Sequence, residues 1–159
     1  MATQWVMYEE EFTRMSALCE RLASDAHARI VFLVDKSGQL IASSGHPAHF
    51  DTTSLASLTA GTVAAMGGLA KLLGESEFQN QFHEGVRDSL YMSIVGGRMV
   101  LVVIFDNRSS LGLVRWRSKK AAEELADVFE ALVKKNHSPQ ASSPFAEISD
   151  EDIDNLFSE

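Results

Sequence analysis

Residues 52–70 run for nineteen positions without a single charge. A helix made from this stretch has two unlike faces. At 100° per residue, Leu55, Leu58, Thr62, Met66, Leu69, Leu72 and Leu73 gather on one side, a stripe expected to pack on a core. The opposite side of a soluble helix is normally charged. Here it carries Ser57, Ala60, Gly61, Ala64, Gly67 and Gly68, with Lys71 at its end. Each glycine inside a helix costs roughly 0.5–1 kcal/mol relative to alanine. An outer face that bears this cost is expected to let another backbone approach closely. Ala60, Ala64, Gly68 and Lys71 are therefore read as a contact surface.

Three other readings are weighed against that one. A helix apolar all round can be buried within its own domain. The length fits the roughly 20 residues of a membrane span, but Ser54, Ser57, Thr59 and Thr62 are polar and the flanking chain is that of a soluble protein, so no membrane insertion is expected. A glycine-rich phosphate loop needs a turn between strand and helix, and Gly67-Gly68 falls in mid-helix.

The 159 residues suffice for one domain with a proper core. One cysteine, Cys19, excludes an internal disulfide framework and suits a reducing compartment. Residues 1–11 have no basic segment and soon turn acidic. No signal peptide is expected, and the cytoplasm is the default. The net charge of −8 is uneven: residues 136–159 hold six acidic residues and no Lys or Arg, while residues 1–135 hold sixteen acidic and fourteen basic. Such a balance argues against nucleic acid, whose phosphates need basic side chains to displace counterions.

Along the chain, Tyr8, Phe12, Met15, Cys19, Leu22 and Ala26 step by four and three, an amphipathic helix. Residues 30–34 and 39–43 read as a hairpin around Asp35-Lys36-Ser37-Gly38. The uncharged helix, capped by Asp51 or Thr52, ends near Gly74. A short strand is expected at 82–86, then a second hairpin, 90–95 and 99–105, around Gly96-Gly97. Leu111, Val114, Ser118, Ala121, Leu125, Val128 and Leu132 define a last helix that reaches Lys135. The order α-β-β-α-β-β-β-α with short strand links implies a five-stranded antiparallel sheet, an α+β fold built as an α/β sandwich.

The expected domain spans 1–135, a polar linker 136–148, and a tail helix 149–159. In the tail, Ser149 precedes Asp150-Glu151-Asp152, an N-cap followed by first-turn acids. Ile148 and Ile153 occupy hydrophobic-staple positions. Ile153, Leu156 and Phe157 share a face. Two turns are too few to stand alone, so this segment reads as one that folds on a partner; a frayed terminus, or one docked on its own body, is the alternative.

Catalytic constellations are not found. Pro47 breaks the helix that would aim His46 and His49 at one metal. Cys19 lies on an apolar stripe, and Asp106-Asn107-Arg108 suits a turn. No catalytic, cofactor or metal residue is assigned. Arg115, Trp116 and Lys120 stand in a basic cluster at the start of the last helix, read either as a patch for an acidic partner or for the chain's own acidic tail, or as a solvated face.

The element order and the small-residue central helix resemble the Roadblock family of dynein light chains and small-GTPase regulators. The segments ASLTAGTVAAMGGLAKLLGE, FHEGVRDSLYMSIVGGRMVLVVIFDNRSSLGLVR and SPFAEISDEDIDNLFSE are similar to its bacterial members that regulate a Ras-like GTPase of the MglA type. The resemblance covers nearly the whole chain. It implies a homodimer with sheets joined edge to edge and central helices side by side. It also implies binding of the GTP-loaded GTPase and acceleration of hydrolysis, in control of front–rear polarity and gliding motility at a cell pole. The chain would order the GTPase's own residues and have no active site itself, with Arg98 or Arg115 left open as arginines acting in trans. A scaffold without activating power is the alternative.

Overall fold

The chain, in a computed structural model, is described over residues 6–45 and 50–137. Strand β5 (Met99–Phe105) is buried at all seven positions. It lies mid-sheet between β1 (Ile30–Asp35) and β4 (Ser89–Val95), in the order β2-β1-β5-β4-β3. All neighbours are antiparallel. Turn chemistry sets the hairpins. Between β1 and β2 (Leu40–Gly45), the Asp35 carboxylate accepts from the backbone N–H groups of Ser37 and Gln39, and Gly38 has a φ of 97°. Between β4 and β5, Gly96 and Gly97 both have positive φ, as a tight primed turn requires.

Alternation along the strands makes two cores. Val31, Leu33, Tyr91, Val95, Leu101 and Val103 face helices α1 (Glu9–Asp25) and α3 (Leu111–His137). Ile30, Phe32, Val34, Val100, Val102 and Ile104 face helix α2 (Thr52–Leu72). The result is the expected sandwich. Asp51 is the residue that caps α2, accepting from the Ser54 N–H at 3.1 Å. Gly74, at φ 80°, follows its end.

Several expectations need correction. The edge strand β3 is Asn80–Glu84, two residues earlier than read from sequence. The Gly85 N–H donates to the Asp88 carbonyl, so Val86 falls in the turn and is fully exposed. Helix α3 continues over Asn136 and His137, where the linker was expected. The Asn136 amide holds it there, donating to the Val6 carbonyl and accepting from the Val6 N–H. On α1, Phe12 is exposed, and Glu11 takes the place nearer the stripe's centre at 1% exposure. A buried carboxylate is tolerated only with a partner. Lys135, near the end of α3, supplies it at 2.6 Å. Residues 138–159, with the tail residues Ile153, Leu156 and Phe157, lie outside the described residues, as do His46 and His49.

The hydrogen bond from Lys135 holds the Glu11 carboxyl below the usual carboxylate range, against burial, which acts the other way. Stability from this group is therefore complete above its unfolded pKa of about 4.3 and is lost as pH falls through the lowered folded value. Melting curves between pH 7 and pH 3 should show a steeper acid-side loss for the native chain than for Glu11→Gln. Identical pH profiles would refute the role of the pair.

Candidate partner-binding surface

Helix α2 meets the sheet, over β1 and β2, along a narrow edge: Ala56, Thr59, Val63 and Ala70 are its buried residues. Small and β-branched side chains let the helix axis sit close to the strands. This overturns the expected packing of the leucine stripe. Leu55 touches the core from the side, but Leu58 and Leu72 are 70% and 84% exposed, and Leu69 and Leu73 are exposed too. With the edge toward the sheet, both flanks of the uncharged helix are left open. By length and composition α2 would also suit a membrane span; in this fold its buried edge is covered by the sheet.

The flank of small residues borders a groove of about 370 Å³. Ala60, Ala64, Gly67, Gly68 and Lys71 form one wall, with Lys36 and the Ser76-Glu77 segment opposite. Lys36 is paired with Glu77. Ala60 is half-buried, because the β1–β2 turn lies against it: a Cβ placed on Gly38 would stand 3.6 Å from that of Ala60 and 3.5 Å from the Ser57 Cα. Part of the small-residue pattern thus serves this chain's own turn. Ala64, Gly68 and Lys71 are exposed. A Cβ added at Gly61, Gly67 or Gly68 meets nothing within 4 Å. Among the described residues, no contact calls for glycine at these three positions.

Sequence reasoning missed Lys36 and Glu77. They lie outside α2 and reach the groove only through the way the β1–β2 turn and the loop after α2 fold over it.

The basic cluster does not stay together. Arg115 and Lys119 line a groove against β3 and β4. Arg117 and Lys120 face α1. Trp116 stands between them at 66% exposure, with the Arg117 guanidinium 4.6 Å above its ring. Asp106 accepts from the Arg108 backbone and side chain, the expected turn role. The buried Cys19 thiol is pushed up to about 12 by burial, so it stays protonated and unreactive. Among the described residues no three His, Cys, Asp or Glu side chains are grouped to hold a metal.

Residues 15–105 match the Roadblock/LC7 domain. The chain belongs to that family. Its fold is similar to that of MglB from Myxococcus xanthus, with 72% identity and a TM-score of 0.77 over 81% of this chain and 97% of that one. The gliding protein MglB of Thermus thermophilus is 34% identical, with a TM-score of 0.77 over 82% and 99%. An MglB structure described with a tetrameric arrangement is 33% identical, with a TM-score of 0.77 over 83% and 99%. Among curated proteins none matches the chain. The matched Roadblock region includes all of α2 and β3 and ends with β5.

The open glycines give a direct measurement. Gly61→Ala, Gly67→Ala and Gly68→Ala should each stabilise the isolated fold, by about 0.5–1 kcal/mol. Any of them that is also a contact position should weaken association with a partner. Chemical denaturation and pull-down assays on the same variants separate the two effects. Destabilisation by all three would show that the helix needs its glycines for folding.

Proposed function

We propose that this chain is a homodimeric activator of GTP hydrolysis by a Ras-like GTPase of the MglA type, acting in the cytoplasm and concentrated at a cell pole. One observation carries the reading: α2 presents an uncharged, open flank at Ala64 and Gly68, where another backbone can come close. The similarity to MglB proteins supports it. The two flanks suit different partners. The exposed leucines resemble the apolar centre of a permanent interface and, with the edge of β3 that pairs with no other strand among the described residues, suit a second copy. The small-residue flank, with Lys71 and Lys36 at its groove, suits the GTP-loaded GTPase.

The chain contributes order rather than a catalytic group. Arg115 belongs to the α3 side of the sheet and faces away from anything docked on α2. Arg98 is nearer, because its carbonyl accepts from the Lys36 N–H beside the groove. An arginine acting in trans is worth about 10³–10⁵ in rate. Arg98→Ala is expected to change single-turnover GTP hydrolysis by less than tenfold. A loss of a thousandfold would make it the catalytic arginine instead.

Ala64→Arg and Gly68→Arg place a long cation where close approach is needed. Both should abolish acceleration of hydrolysis while the chain stays folded and dimeric by sedimentation. Normal acceleration in both would refute the surface, and binding without acceleration by the native chain would make it a scaffold.

The tail adds a second contact in this reading, with Ile153, Leu156 and Phe157 folding into an apolar groove of the GTPase and holding it or biasing nucleotide exchange. Burial of three such side chains contributes roughly 1.5–3 kcal/mol each, less about 2–5 for ordering. Deleting residues 138–159 should leave the dimer and some acceleration intact, and should weaken GTPase binding in a salt-sensitive way. Unchanged binding at every salt concentration would reduce the tail to a loose end.

A further inference from the structure

A second groove lies on the other side of the sheet from α2. It encloses about 480 Å³ between α3 and the β3–β4 edge. Asn80 and Tyr91 form its floor, joined by a hydrogen bond from the Tyr91 hydroxyl at 3.0 Å. Arg115 and Lys119 stand at one end, and Ala122 and Ala126 form the wall beyond them. Burial raises the Tyr91 hydroxyl above its usual pKa, and the charge of Arg115 opposes that shift. Glu123 is the acidic side chain on the wall, and among the described residues neither Arg115 nor Lys119 forms an ion pair. The groove is therefore cationic at one end, and the two alanines, one turn apart, leave room for large apolar side chains farther along.

Residues 138–159 supply the complement. The acids Asp150, Glu151 and Asp152 precede the apolar Ile153, Leu156 and Phe157, the same sequence of charge and then apolar bulk. Reach allows the match. Along α3, Arg115 stands 22 residues before His137, about 33 Å at 1.5 Å per residue. Residues 138–149 can span about 40 Å when extended. We propose that the groove between α3 and the β3–β4 edge docks this chain's own acidic segment, with Asp150–Asp152 at Arg115 and Lys119 and the apolar residues against Ala122 and Ala126. Docking there leaves the α2 surface open and holds back Ile153, Leu156 and Phe157 from any other partner until they are released. The inference stands apart from GTPase activation, because it concerns the full chain alone.

Zero-length carbodiimide cross-linking of the full chain, mapped by mass spectrometry, tests it. Lys119 should be joined to one of Asp150, Glu151 or Asp152 within a single chain, as judged from mixed light- and heavy-isotope protein. The yield should fall at least fivefold in Arg115→Glu. It should fall as far in Leu156→Ser/Phe157→Ser, which keeps every reacting carboxylate and changes none of the described residues. Lys120, on the α1 side of α3, is the control. Equal yields at Lys119 and Lys120 would overturn the proposal. So would links formed only between copies, links mainly to Lys36 or Lys71 beside α2, or a Lys119 yield unchanged in the Leu156→Ser/Phe157→Ser chain.

Discussion

Strand β5 has no face for solvent. All seven of its residues are buried and alternate between two cores, so the sheet must be covered on both sides. On one side α1 and α3 share the task and enclose a wide interior. On the other, α2 is the one helix over the strands among the described residues, along the edge of Ala56, Thr59, Val63 and Ala70, with Phe50 packed beside it. A single helix leaning over β1 and β2 cannot bury its own flanks as well. Its lack of charge therefore becomes a surface property, and it is on this exposed apolar surface that the proposed contact rests.

This division explains why the two sides of the sheet differ in chemistry. The α1–α3 side is closed by charge at its margins: Lys135 reaches Glu10 and Glu11, and Arg21 pairs with Glu124. These contacts between helix faces are satisfied within the chain. On the α2 side the charged pair nearest the small flank is Lys36–Glu77. It sits at the rim of the groove, where a partner can compete for either member.

Local rules carried most of the architecture. The element order, the Asp35 and Gly96-Gly97 turns, the Asp51 cap and the buried face of α3 from Val114 to Leu132 follow from residues close in sequence. What escaped depends on contacts distant in sequence. Periodicity placed the large side chains of α2 toward the sheet because size usually marks a core. The sheet instead takes the residues that permit close approach. Glu11 was invisible because the lysine that neutralises it lies at the other end of the chain. Phe12, the next residue, is exposed. The start of β3 was missed because its residues are half-exposed and polar, paired with β4 alone. Of the candidate surface, Ala60, Ala64, Gly68 and Lys71 could be read from glycine cost. Lys36 and Glu77 required the folded turn.

The pairing of β1 with β5 has a consequence during synthesis. Asp35 pairs with Met99 and Ile30 with Ile104, so β1 waits for its inner neighbour until more than sixty further residues have been made. At about 5–20 residues per second that interval lasts several seconds. Throughout it, the nascent chain displays an apolar strand and an uncharged helix with no sheet to receive them. The segment proposed to meet partners is thus also the one most open to misassociation at the ribosome, and its sheet is complete only when β5 emerges.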